Sequence, residues 1–217
     1  MQVKYLSGLA VATACLWPVQ ALHAGEVYGA IGLPGVMLGY AHPMNENLGL
    51  RADYATLGSH TKVYTESGIA YDGALSTGRA ALLADWFPFA GRFRVTGGLT
   101  ANNYKLSLNA SGAGGTLQVG NTTYTTTAAD GLRVDVAFPK TTPYLGIGWG
   151  HQASSGFRAA FDIGAMIGSA TVTVTPRGQL TNPAAQADIQ AETAQLRDGV
   201  GKVKAIPQIS LSLGWSF

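Results

Sequence analysis

Three histidines beyond the first two dozen residues, His42, His60 and His151, are the side chains best suited to proton transfer near neutral pH. His151 is followed closely by Ser154 and Ser155, so a base and nucleophile pair must be weighed first. The spacing supplies no carboxylate to orient the ring, and all three residues fall in one short turn, which reads as an interfacial rim rather than a hydrolase centre. No His, Cys, Asp or Glu cluster has metal-ligand spacing. Gly146, Gly148 and Gly150 alternate within an extended run instead of opening a helix, so they do not cradle phosphate. The expectation is a protein that is not an enzyme and carries no cofactor or metal.

The remaining chemistry is charge pairing. Arg51, Asp53, Arg79, Asp85, Arg92, Arg94, Arg158 and Asp162 all lie opposite apolar residues in period-two segments. An arginine on a lipid-facing surface near mid-membrane costs about 2 to 4 kcal/mol. Arg and Asp paired on the other face therefore form the low-energy arrangement. If eight strands close around them, the interior is filled by side chains, and the charges form an ion-pair plug. A polar conduit is the alternative use of the same residues.

The elements that would position these charges repeat every ten or so residues. Ile209, Leu211, Leu213, Trp215 and Phe217 alternate with Gln208, Ser210, Ser212, Gly214 and Ser216. The same alternation runs through Phe157–Ile167, Leu145–Trp149, Phe93–Ala101, Ala80–Trp86 and Leu48–Tyr54, with further strands at Val36–Tyr40 and Val27–Leu33. That makes eight strands, an even number. Connections near 43–47, 88–91 and 151–156 are short, whereas those at about 59–72, 109–140 and 176–204 are long. Short periplasmic turns and long outer loops give this alternation, with Pro34-Gly35 as a very short outer turn. Aromatic residues near strand ends, including Tyr40, Tyr54, Trp86, Phe87, Phe89 and Trp149, suit girdles at the two interfaces.

The long connections carry their own signals. Thr116–Val119, Gly120-Asn121 and Thr122–Thr127 read as a hairpin above the membrane. Residues 183–204 read as a helix, with Asn182 as cap and Pro183 at its first position, serving either as a lid or as order in a long loop. The 109–140 loop is either a contact surface for host, phage or lipopolysaccharide or a solvated loop.

The first 24 residues read as a cleaved export signal, with Lys4, an apolar run from Tyr5 to Trp17, then Pro18 and Ala24; residues 25–217 form the barrel domain. Cleavage after Ala21 is a second option. A lipoprotein would begin at Cys15, but Ala12-Thr13-Ala14 lacks the usual leucine. Without Cys15 the mature chain has no thiol. A formal charge of +2 with 12% charged residues gives no nucleic-acid partner.

The ending Leu211–Phe217 resembles bacterial outer-membrane proteins, whose last strand is recognised by the barrel-assembly machinery. Gly32–Tyr40 and Pro143–Gly150 look like small proteobacterial barrels, similar in architecture to the outer-membrane protein A and W families. The resemblance implies an all-β, eight-stranded antiparallel up-and-down transmembrane barrel with one short helix in the last outer loop. It also implies a Gram-negative outer-membrane location, with the lipid bilayer and lipopolysaccharide as surroundings. Ile209, Leu211, Leu213, Trp215 and Phe217 would be the assembly signal. Two functions follow as expectations: a structural or surface-interaction protein with a plugged lumen, or a transporter or narrow channel for small, apolar molecules, recognisable by a lateral gap or an apolar funnel at its outer mouth.

Overall fold

The computed structural model describes residues 25–66, 69–112, 114–151 and 155–217; the export signal and Ser154 lie outside them. Eight strands close a ring in the order β1 (Glu26–Leu33), β2 (Gly35–Pro43), β3 (Leu48–Glu66), β4 (Ile69–Trp86), β5 (Phe93–Asn102), β10 (Thr141–Trp149), β11 (Gly156–Ile167) and β13 (Ala205–Ser216). Every neighbouring pair is antiparallel. Closure comes from β1 against β13, Glu26 facing Ser216 and Leu33 facing Ile209. A closed ring leaves no unpaired edge in lipid.

The side-chain period decides which face meets lipid. Ile31, Leu38, Leu82, Leu99, Leu145, Leu211 and Leu213 are exposed on the outer wall, while Arg51, Arg79, Asp85, Arg94 and Asp162 are buried inside. This is the reverse of a soluble protein and fits a hydrocarbon surround. Among the described residues no helix is long and apolar enough to cross a membrane.

Above the membrane the polarity inverts. Five strands form an outer sheet: the upper halves of β3 and β4, then β6 (Lys105–Gly112), β9 (Gly131–Ala137) and β12 (Thr171–Arg177). Alternation along β4 is unbroken, so Ile69, Tyr71 and Leu75 lie on the same side as Arg79 and Asp85. Rows such as Tyr71–Ala110–Leu132 and Leu75–Leu106–Val136–Val172 make this side apolar. The other side carries Ser107, Asp135, Asn109, Arg133 and Thr173. Water outside and a packed core inside require this order, whereas lipid outside requires the opposite, and the switch falls near Thr77 and Gly78 on β4. On β3 the same level holds a one-residue bulge between Ala55 and Gly58, which bends and twists a strand.

Covering the apolar side are the hairpin β7 (Thr116–Val119) and β8 (Thr122–Thr125) and the helix α1 (Gln186–Gly199). Ile69, Leu117, Val119, Leu132, Leu180 and Ile189 form one buried cluster. The expected outer loops therefore differ from the structure. Residues 59–66 and 69–72 continue β3 and β4, and much of 109–140 is sheet, because strand pairing satisfies backbone groups around a second core. The helix is α-helical from Gln186, with Pro183–Ala185 as a 3-10 turn, and the Asn182 side chain makes no cap bond. It packs on β7 and β12.

Candidate functional site

Four charged side chains meet across the lumen. Arg51 on β3 grips Asp85 on β4, Nε to Oδ2 at 2.6 Å and Nη2 to Oδ1 at 3.2 Å. Its Nη2 also reaches Asp162 on β11 at 3.3 Å. Arg94 on β5 donates to Asp162 Oδ1 at 2.5 Å and to the Gly150 carbonyl at 2.7 Å, with its Nε 3.4 Å from Asp85. Thr96 donates to Asp85 at 2.6 Å. Two cations and two anions cancel, and these four side chains are at most 4% exposed.

A second pair sits nearby. Arg79 Nη1 lies 2.9 Å from Asp53 Oδ1, and Tyr28 donates its hydroxyl to Asp53 Oδ2 at 3.1 Å. The Arg79 guanidinium is 5.9 Å from the ring centre of Tyr144, within cation–π range. Strand glycines make room for these side chains. A Cβ on Gly148 would lie 2.7 Å from Arg94 Cζ, and one on Gly146 would lie 2.9 Å from the Tyr144 hydroxyl. The Tyr28 ring lies against Gly39 in the same way.

Arg92 and Arg158 occupy different positions. Arg92 is exposed in the turn before β5, one residue short of the strand, so its side chain does not enter the buried cluster. Arg158 is half-buried at the end of the ring that carries the short turns and, with Arg92 and His151, lines a recess of about 120 Å³.

His151 turns inward from a left-handed backbone (φ 57°), a conformation uncommon for residues other than glycine. Its Nδ1 is 2.9 Å from Glu26 Oε1 and its Nε2 is 3.4 Å from Ser212 Oγ. Ser212 Oγ is also 3.3 Å from the Ala160 carbonyl, to which it donates. The sequence offered no sign of this carboxylate, since Glu26 is 125 positions away; only the closure of β1 beside β13 and the turn after β10 bring them together. Ser155 is exposed. His42 is half-buried near the turn after β2, and His60 lies on the outer sheet, its Nε2 2.9 Å from the Leu57 carbonyl. Among the described residues no cluster of three His, Cys, Asp or Glu could hold a metal ion.

The last strand presents Ile209, Leu211, Leu213, Trp215 and Phe217 to the outside, 46% to 65% exposed. Trp86, Phe89, Trp149, Phe157, Trp215 and Phe217 gather at the short-turn ends of the strands. Tyr54 is at the outer level, and Phe87 departs from the girdle by folding inward, 4% exposed, near Gly49.

Crystal structures of Acinetobacter baumannii CarO and CarO2 superpose with TM-scores of 0.50 and 0.54, at 17% and 15% identity. They cover 89% and 91% of this chain and 97% and 100% of theirs. The chain has the fold of a small outer-membrane β-barrel. No family model matches the sequence, and no curated protein does.

The outer cap gives the barrel a second polar constellation. Asp188 of α1 accepts from Tyr124 at 2.6 Å and from Thr122 at 3.0 Å, and Glu192 accepts from the Gly120 amide at 2.9 Å. Asp130 accepts from the amides of Gln179 and Thr127 at 2.7 and 2.8 Å, and these bonds hold its carboxyl below the usual range. On the water-facing side of the sheet, Arg133 and Ser107 hold Asp135 down to about 2.

Proposed function

We propose that this barrel is a structural or surface-interaction protein whose lumen is plugged by Arg–Asp pairs and whose outer cap is its working surface. The observation that carries the reading is the burial of Arg51, Arg79, Arg94, Asp53, Asp85 and Asp162 at 0% to 4% side-chain exposure. A water column past these groups would wet them, and eight strands leave little more than side-chain room. The cap supports the second half of the proposal: a sheet with its own buried core holds a fixed surface, as interaction sites require.

A non-enzymatic role fits the Glu26–His151–Ser212 chain as well. Its connectivity resembles acid, base and nucleophile, but Ser212 is buried and its hydroxyl is engaged by the Ala160 carbonyl. Here the chain ties β1, β13 and the turn after β10 together. Residues 1–24 act as the export signal, and the terminal strand is the part read by the assembly machinery.

One observation favours transport of small apolar molecules as a second reading. Leu75 and Leu108, on the apolar side of the outer sheet, remain 39% and 45% exposed, giving an apolar patch above the lumen. Swelling of vesicles containing the purified barrel, in a series of small sugars, amino acids and aromatic acids, separates the two. The plugged reading expects the rate of empty vesicles for every solute; faster entry of the apolar ones would favour transport.

A further inference from the structure

The lipid-facing wall is uneven. At the level where polarity inverts, one row of paired residues crosses four strands: Tyr54 on β3, Ala80 on β4, Ala101 on β5 and Thr141 on β10. Ala80 and Ala101 stand side by side in this row, and with Tyr54, Asn103 and Lys140 around them they border a depression of about 390 Å³. It continues downward into a second depression of about 330 Å³ bounded by Leu82 and Leu99, the two sharing Ala80, Ala101 and Thr141. Together they form a groove running down the wall from the outer interface.

Its two ends differ chemically. The lower part is lined mainly by Ala52, Ala80, Leu82, Leu99 and Ala101, with Thr141 at its upper edge. At the upper end stand the exposed Lys140 and Asn103, and across the row the Tyr54 hydroxyl leans over Gly78, where a Cβ would be 3.2 Å away. Among the described residues no carboxylate pairs with Lys140. A cation, an amide and a phenol at the water line above an apolar trough complement an amphiphile with an anionic head.

We propose that this groove is a binding site for one phosphorylated lipid of the outer leaflet, of the lipid A class. An acyl chain lies over Ala80 and Ala101, and a phosphate is held by Lys140 with Asn103 and Tyr54 beside it. The location on the membrane-facing wall excludes a soluble occupant, and the position of the cation at the outer end selects an outer-leaflet lipid. The assignment rests on the outer-membrane placement of the chain and is independent of whether the lumen is plugged.

The test is native mass spectrometry of the folded full barrel released from nanodiscs containing lipid A and phosphatidylglycerol in equal mole fraction. Wild type should retain one lipid A in preference to phosphatidylglycerol. Ala101→Leu, which fills the trough, and Lys140→Gln, which removes the cation, should each lower retention about fivefold. Val36→Leu, on a different part of the wall, should retain it as wild type does. Heat-modifiable gel mobility checks that each variant is a folded barrel; if Ala101→Leu fails that check, Lys140→Gln decides. Equal retention of both lipids by wild type, or wild-type retention by folded Lys140→Gln, overturns the site without touching the barrel assignment.

Discussion

Arg94 and Asp162 meet directly above Gly148: the glycine pairs with Arg94 on one side and Asp162 on the other, and the two side chains close over it at 2.5 Å. A Cβ at this position would lie 2.7 Å from the guanidinium carbon and 2.9 Å from the carboxylate. The glycine is therefore part of the ion pair, although it has no charge.

Gly148→Ala should force the guanidinium aside and cost about 1 to 3 kcal/mol. Urea unfolding in lipid vesicles measures it. Gly29→Ala is the control, because its nearest neighbour would be the Met37 carbonyl oxygen at 3.9 Å. Equal midpoints for the two variants would mean that the packing over Gly148 is slack.

Removing one member of the isolated pair should be worse than removing both. Asp53→Leu leaves the Arg79 charge buried and should cost about 3 to 5 kcal/mol, whereas Asp53→Leu with Arg79→Leu should recover much of the loss. The same unfolding assay reports both. A double variant as unstable as the single one would show that Asp53 contributes through Tyr28 instead.

The cap should loosen independently of the barrel. Leu180 is fully buried in the outer cluster, and Leu180→Ala should cost about 2 to 5 kcal/mol of local stability. Limited proteolysis should then cut within 112–130 or 178–204, while gel mobility still shifts on heating. Loss of the shift would make the cap and barrel one cooperative unit.

Acid should open the same region. Hydrogen bonds depress the Asp130 carboxyl in the folded cap, so its contribution is present above the ordinary carboxylate range and is lost as pH falls through the lowered value. The protection factors of the Thr127 and Gln179 amides, which correct for the acid slowing of intrinsic exchange, should fall on acidification below about pH 4, and Asp130→Asn should show lower protection already at neutral pH with little further change. Unchanged exchange in Asp130→Asn would remove Asp130 as the staple.

Much of this architecture is written in local patterns. Period-two alternation ending at Phe217 locates the ring strands, because a strand between lipid and a polar lumen has one apolar side along its whole length. The outer strands β6, β9 and β12 carry an equally regular signal: Leu106 and Leu108 alternate with Ser107 and Asn109, and Val134 and Val136 with Arg133 and Asp135. Low charge and many hydroxyls disguise it as loop, and nothing local says that its apolar side faces a protein core.

The site is legible to the extent that it depends on side-chain alternation. Arg51, Asp85, Arg94 and Asp162 share the inward side by parity alone. Which charges pair is set by the stagger of strands around the ring, which no single segment encodes. Arg92 illustrates the limit: it has the parity of Arg94 but lies before the strand begins, in a turn where parity no longer fixes direction. The approach of Glu26 to His151 depends on ring closure and on a left-handed turn residue, and neither leaves a pattern in sequence.

The most direct test of the plugged lumen is ion conductance of the purified, heat-modifiable barrel in planar lipid bilayers. The buried, mutually neutralised Arg51–Asp85–Arg94–Asp162 cluster predicts a silent membrane for wild type and the appearance of small openings when Arg94→Ala and Asp162→Ala are combined. Steady ohmic conductance from wild type, unchanged in that double variant, would contradict it, because ions would then be crossing by a route that these side chains do not close.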